Sequence, residues 1–180
     1  MPMRTTDLDI LEKNIRALAD RCQEQDIPLR VHTKTHKIPE IAKMQLEAGA
    51  IGIVSQKVGE AEAMVAAGIK DILIPYNIIG KQKVDRLAAL CNQATMTVSA
   101  DSEITVRGLS EGMVENKASV GVLVECDTGG NRCGVQTPES SSRSQRTHPQ
   151  PSRAIARGSL DLSEPRASER LHRRHQTPLR

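Results

Sequence analysis

Aromatic side chains are nearly absent from this sequence, which has one Tyr, no Phe and no Trp. Its core must come from Ile, Val, Leu, Met and Ala, which suits a buried parallel sheet covered by helices. The same shortage argues against a surface that stacks bases on rings, so no specific nucleic-acid partner is expected. No apolar run approaches ~18 residues, and no positively charged leader precedes an apolar stretch. Neither a membrane span nor a secretory signal is indicated, and the cytoplasm is the expected compartment. Cys22, Cys91, Cys126 and Cys133 are widely spaced and lack a CxxC pair. They read as reduced, structural thiols rather than as a disulfide or zinc framework.

What is present is divided unevenly. The net charge of +3 conceals 16 Lys and Arg against 19 Asp and Glu in residues 1–139, and nine Arg, no Lys and three acids in residues 140–180. The basicity belongs to the tail. That tail opens Ser140-Ser141-Ser142-Arg143 and offers only Ile155, Leu160, Leu162, Leu171 and Leu179 as large aliphatics. Such a stretch buries too little to offset its own entropy, so disorder is the expectation for 140–180. The switch from mixed Lys and Arg to Arg alone reads as a frame-shifted continuation, with a basic tail as the alternative. Sequencing the coding DNA across codons 136–145 tests this: a single-base change there is expected to restore an open β/α reading frame.

Before residue 139 the chain keeps a regular beat. Asp9 and Glu12 form a capping-box pattern, and Leu11, Ile15, Leu18 and Cys22 follow at helical spacing, which predicts a helix over 10–24. Strands are expected at 29–31, 50–55, 71–75, 95–99 and 119–125, and helices at 38–48, 58–67, 80–91 and 102–111. Gly49 and Gly68 stop two of these helices, and Asp101 is placed to cap the last. Strand starts recur every 20–24 residues or so, which fits strand, loop, helix and return loop, with right-handed crossovers making neighbours parallel. The fold class is α/β. Five units, or six if the stretch before Asp7 counts, point to a partial (β/α)8 barrel, with an open doubly wound sheet as the alternative; a complete barrel needs about 250 residues.

In such barrels chemistry sits at the C-terminal ends of strands. Lys34 stands there after Arg30-Val31-His32, where a sheltered pocket would lower the amine's pKa and let it attack an aldehyde. The neighbouring His36 and Lys37 would add to that effect and favour a phosphate. The plain alternative is that Lys34 and Lys37 are solvated loop lysines. Other strand ends carry Ser55-Gln56-Lys57, Tyr76-Asn77, Ser99 and Asp101, and the run Glu125-Cys126-Asp127-Thr128-Gly129-Gly130-Asn131-Arg132-Cys133-Gly134. In the last, Asp127 can accept bonds from the turn it opens, and the glycines permit a tight bend that presents Arg132 toward the mouth. A glycine-rich bend can also cradle phosphate, though this one lacks the Lys-Ser/Thr ending of a nucleotide loop. His32 and His36 lie four apart without a third ligand nearby, so no metal site is assigned.

The runs Arg30 to Lys37, Pro39-Glu40-Ile41-Ala42, Gly59-Glu60-Ala61-Glu62, Asp71-Ile72-Leu73 and Val124 to Val135 together resemble the pyridoxal-phosphate enzymes with an alanine-racemase-type barrel. Within them the similarity is to the D-threonine aldolase and D-serine dehydratase branch. It covers about 130 residues, with Val31 standing where the family commonly has Pro. The resemblance implies pyridoxal 5′-phosphate held as a Schiff base on Lys34, the catalytic residue, with Arg132 near the cofactor's phenolic oxygen. Asp127 and Thr128 match the turn that positions Arg132, and the strand-end groups His32 and Gln56 complete the candidate cofactor-binding set.

By the same resemblance the substrate is a D-amino acid, and the reaction is aldol cleavage or β-elimination. Full-length relatives would be homodimers using a divalent metal held by His and Cys of a C-terminal β domain, which is not represented in this sequence. The 180-residue chain is therefore expected to be inactive or misfolded. Two other readings are a noncatalytic, single-barrel cofactor-homeostasis protein, against which the Lys34-Thr35-His36-Lys37 text argues, and a degenerate scaffold bearing a basic interaction tail.

Overall fold

A computed structural model describes residues 5–127, 129–136 and 154–161. Helix α1 (Leu8–Glu24) precedes β1 (Arg30–His32), and the chain then alternates through α2 (Pro39–Glu47), β2 (Gly52–Val54), α3 (Val58–Ala66) and β3 (Asp71–Ile74). It continues with α4 (Lys81–Cys91), β4 (Thr95–Ala100), α5 (Glu103–Glu115), β5 (Val120–Cys126) and β6 (Ala154–Asp161). Gly49 and Gly68 take φ of 108° and 94°, left-handed values that end α2 and α3 and turn the chain back toward the sheet.

All five pairings are parallel, and the strand order is β1-β2-β3-β4-β5-β6. A doubly wound sheet reverses its strand order at a switch point. This one never reverses, so it is a barrel segment, a partial (β/α) barrel.

Alternation along the strands sorts the side chains. Val31, Ile53, Ile72, Ile74, Met96, Val98, Val120 and Val122 join Ala61, Met64, Leu87, Leu109 and Met113 of the helices in one apolar core. On the opposite, inner face, Arg30, Asp71, Leu73, Thr95, Thr97 and Leu123 line a cavity of about 200 Å3. Arg30 Nη1 lies 2.8 Å from Asp71 Oδ1 and reaches it across β2. That path exists because position 52 is glycine: a Cβ there would collide with the Arg30 guanidinium.

Several expectations are corrected in detail. The cap of α1 is Asp7, whose carboxylate accepts from the Ile10 N–H at 3.1 Å, rather than Asp9. Ser102, not Asp101, caps α5 by accepting from Thr105 N, and that helix runs on to Glu115. Asp101 is drawn away by partners on other strands, described below.

The sixth described strand is not found at residues 5–7, the described part of the stretch up to Asp7. Residues 5–7 carry no strand, and residues 1–4 lie outside the described residues. It comes from 154–161, inside the segment expected to be disordered. The free side of β5 presents a row of N–H and C=O groups that an extended segment satisfies. Ala154–Asp161 pairs along all of β5, with a register shift between Val122 and Leu123. The rest of the expected tail, 140–153 and 162–180, lies outside the described residues.

Helix α1 forms as its spacing predicts, yet Ala19 is its one buried residue and Leu18 is 51% exposed. Leu87, fully buried, is at the other extreme. Urea unfolding should therefore show Leu87→Ala costing about 2–5 kcal/mol and Leu18→Ala no more than ~0.5 kcal/mol. Equal losses would mean that α1 is packed as tightly as the sheet's own helices.

Candidate active site

Five strand ends bring polar residues to one rim of the sheet. At β1, buried Thr33 extends the parallel ladder: its N–H and its hydroxyl donate to the Val54 carbonyl at 2.9 and 3.1 Å. This anchors the turn that carries Lys34, whose side chain is exposed rather than sheltered. The expected closed pocket is not built around it by the described strands, because β1 has no neighbour on its outer side in the order β1 to β6.

His32 Nδ1 accepts from the Lys34 N–H at 3.3 Å, and His36 Nδ1 accepts from the Ile38 N–H at 3.1 Å. One ring nitrogen of each histidine thus serves the local turn. Partial burial pushes the His32 pKa down, with the Lys34 ammonium acting in the same direction against the Val54 and Glu60 contributions. Burial likewise lowers His36.

Glu60, on the first turn of α3, ties the first two strand ends together. Its Oε2 accepts from the Gln56 N–H at 2.9 Å, and its Oε1 lies 3.1 Å from Lys37 Nζ. Burial raises its pKa, but the Gln56 N–H and the Lys37 ammonium outweigh that and hold the carboxyl below its ordinary value. The described contact of Gln56 is thus made by its backbone. Lys37 itself adopts φ of 56°, so the turn is a tight one at a non-glycine residue.

The turn after β5 is organised by Asp127. Its Oδ1 accepts from the N–H groups of Gly129, Gly130 and Asn131 at 2.9, 2.8 and 3.1 Å, while Oδ2 accepts from Gln136 Nε2 at 2.8 Å. The Gly129 N–H leads the contacts that hold this carboxyl below the usual range. Val135 closes the loop, donating to Glu125 O and accepting from Asp127 N. Gly134, at φ 104°, lies so close to the Cys126–Asp127 peptide that a Cβ would stand 2.5 Å from Asp127 N. Thr128 lies outside the described residues.

Three further residues hold this loop from neighbouring strands. Asp101 Oδ2 accepts from Gly134 N at 3.1 Å, and Asp101 Oδ1 accepts from Asn77 Nδ2 at 2.8 Å; Asn77 Oδ1 in turn accepts from Asp101 N. Arg132 Nη2 donates to Tyr76 Oη at 2.8 Å. Cys133 Sγ donates to buried Glu125 at 2.8 Å, and that carboxylate pushes the thiol up to about 11. All four cysteines are free. Lys34, His32, Gln56, Asp127 and Arg132 thus all stand at the same rim, on β1, β2 and β5. The Asn77–Asp101–Gly134 link was missed, since Asp101 reads in sequence as a helix cap; polar residues recurring at each strand end were the available signal. Among the described residues no group of three or more His, Cys, Asp or Glu side chains is arranged to hold a metal ion.

A chain-order parallel sheet with a lysine after its first strand and an aspartate-organised glycine turn after its fifth belongs to the α/β barrels. The family is specific: the model described as "Alanine racemase, N-terminal domain" matches residues 6–155, and this chain belongs to that family. It is 43% identical over 134 residues to a D-threonine aldolase of Arthrobacter sp., covering 74% of this chain and 35% of that protein. It is 31% identical over 134 residues to a D-threo-3-hydroxyaspartate dehydratase of Delftia sp. strain HT23, covering 74% and 35%. The crystal structure of D-threonine aldolase from Filomicrobium marinum superimposes with a TM-score of 0.74 at 44% identity, covering 76% of this chain and 37% of that one. The chain thus spans about a third of the length of these proteins.

Proximity of the Lys34 ammonium to His32 is measurable directly. In an NMR titration the His32 imidazole is expected to titrate below the ordinary value of about 6.5, and Lys34→Ala should move its midpoint upward. Because the folded pKa is depressed, the unfolded chain takes up the proton first. Stability should therefore fall as pH drops through and below about 6.5. An unmoved midpoint in Lys34→Ala would place the ammonium away from the ring.

Proposed function

We propose that this chain is the cofactor-bearing barrel portion of a pyridoxal 5′-phosphate-dependent lyase acting on β-hydroxy-D-amino acids. Support comes from one observation above all: Lys34 after β1 and Arg132 after β5 share the same rim of the sheet in a chain of this family. The donor set suits that cofactor's aldehyde and ring oxygen. A strand-end primary amine condenses with an aldehyde, and a guanidinium has five N–H donors, one of which reaches Tyr76. When bound, the cofactor supplies an electron sink for cleavage at the substrate's α-carbon.

The chain's own residues hold and orient. Lys34 provides the amine and His32 the neighbouring imidazole, kept neutral near pH 7 by its lowered pKa. The Glu60–Lys37 and Glu60–Gln56 contacts fix the first two strand ends relative to each other. Asp127 is consumed by its turn, so its part is to shape the backbone that carries Arg132 rather than to touch a ligand. The higher identity to an aldolase than to a dehydratase favours carbon–carbon cleavage over elimination.

Borohydride reduction of the 180-residue protein mixed with pyridoxal phosphate, followed by peptide mapping, is the test. A label on Lys34 that disappears in Lys34→Ala is the expected result. Labelling spread over other lysines, or undiminished in that variant, would refute the assignment. With a divalent cation present, glycine plus acetaldehyde from D-threonine marks cleavage, and pyruvate plus ammonia from D-serine marks elimination.

A further inference from the structure

Arg132 sits in an exposed turn, and the bonds that hold that turn act on its backbone. They leave the four side-chain torsions of an arginine undetermined. Left to itself, a side chain of that length samples many rotamers, and ordering it is entropically costly. What orders it here is Tyr76. The phenol oxygen accepts from Nη2 at 2.8 Å, and the guanidinium carbon stands 6.0 Å from the ring centroid, within cation–π range. Two contacts of different geometry, one at the ring's edge group and one over its face, define a direction where a single one would allow a cone.

Tyr76 is suited to be the fixed partner. It stands two residues beyond the end of β3, after Pro75, and it packs against the apolar core. The next residue, Asn77, is bonded to Asp101, which in turn holds Gly134 of the arginine's own loop. The third and fifth strand ends are therefore clamped together independently of the Tyr76–Arg132 contact, so the clamp sets the distance and Tyr76 sets the aim. Tyr76 is also the chain's single aromatic residue. Neither core packing nor base stacking elsewhere in the chain calls for a ring.

We infer that Tyr76 is a positioning residue that aims the Arg132 guanidinium at the cofactor's ring oxygen. This rests on the cofactor reading given above. A cation held beside that oxygen favours its ionised form, so a displaced Arg132 should raise the pH midpoint of the near-visible absorbance band of the lysine-bound cofactor.

Two measurements on the 180-residue protein decide it. Without cofactor, the ring resonances of the single tyrosine are expected to move in Arg132→Ala; unmoved resonances would show that the contact does not form in solution and would overturn the inference. With pyridoxal phosphate, Tyr76→Phe should weaken binding by about three- to tenfold and raise the band's pH midpoint in the same sense as Arg132→Ala. The double variant should add nothing beyond Arg132→Ala alone, as two residues acting through one contact require. Tyr76→Phe keeps the ring and its packing, so a merely structural role would leave the midpoint where it was. If Tyr76→Phe binds and titrates like the parent while Arg132→Ala does not, the positioning role is wrong and the cofactor reading stands. If no band forms on Lys34 in any of the proteins, both are wrong.

Discussion

Backbone hydrogen bonding between each strand and the one that follows it in the chain is the constraint from which the rest of this structure descends. Parallel pairing in chain order, with a helix in every crossover, puts all strands in the same sense and gathers their C-terminal ends at one rim. It also sorts side chains by parity. One face becomes the apolar seam against α2 to α5, and the other becomes a polar inner surface where Arg30 and Asp71 can meet across a glycine. Once that sorting is done, a lysine placed just beyond one strand and an arginine placed in the turn after another come to the same rim without any contact between their segments.

The rim is held less by any single strong bond than by acidic residues used as clamps. Glu60 joins the turn after β1 to that after β2, Asp101 joins β3's end to the loop after β5, and Asp127 gathers three consecutive N–H groups of its own turn. At Glu60 and Asp127 the backbone N–H donors favour the charged form, and Asp101 accepts from the Gly134 N–H. The exposed ion pairs on the helices, such as Arg107–Glu103, contribute little by comparison.

Much of this was legible in the sequence because it is written in local signals. Glycine at 49 and 68, the recurrence of short apolar runs, and polar residues after each run gave the strands, the helices and the rim. Lys34, Arg132 and Asp127 were legible as candidates for the same reason, and Asp127's bonding to its turn is as its Asp-Thr-Gly-Gly setting suggests. What was not legible depends on distances between segments. Asp101 and Ser102 are adjacent, and either could cap a helix; only the approach of Asn77 and Gly134 decides that Asp101 serves the loop. The contact of Tyr76 with Arg132 spans 56 positions, and no periodicity encodes it. Composition misled at 154–161, where a short stretch inside the basic, weakly apolar tail forms β6, since an open sheet edge supplies partners that composition does not register. Sequence left open whether Lys34 is sheltered or a solvated loop lysine, because shelter depends on what flanks β1 rather than on the residues of β1 itself; it is exposed.

The strictly sequential strand order carries one more implication, for biosynthesis. From β1 to β5 each strand pairs with a predecessor that has already left the ribosome, separated from it by a single helix, so every closure spans a short loop of modest entropic cost. The sheet can therefore lengthen vectorially as the nascent chain emerges, with the strand that leads into the lysine's turn laid down before the strand that leads into the arginine's.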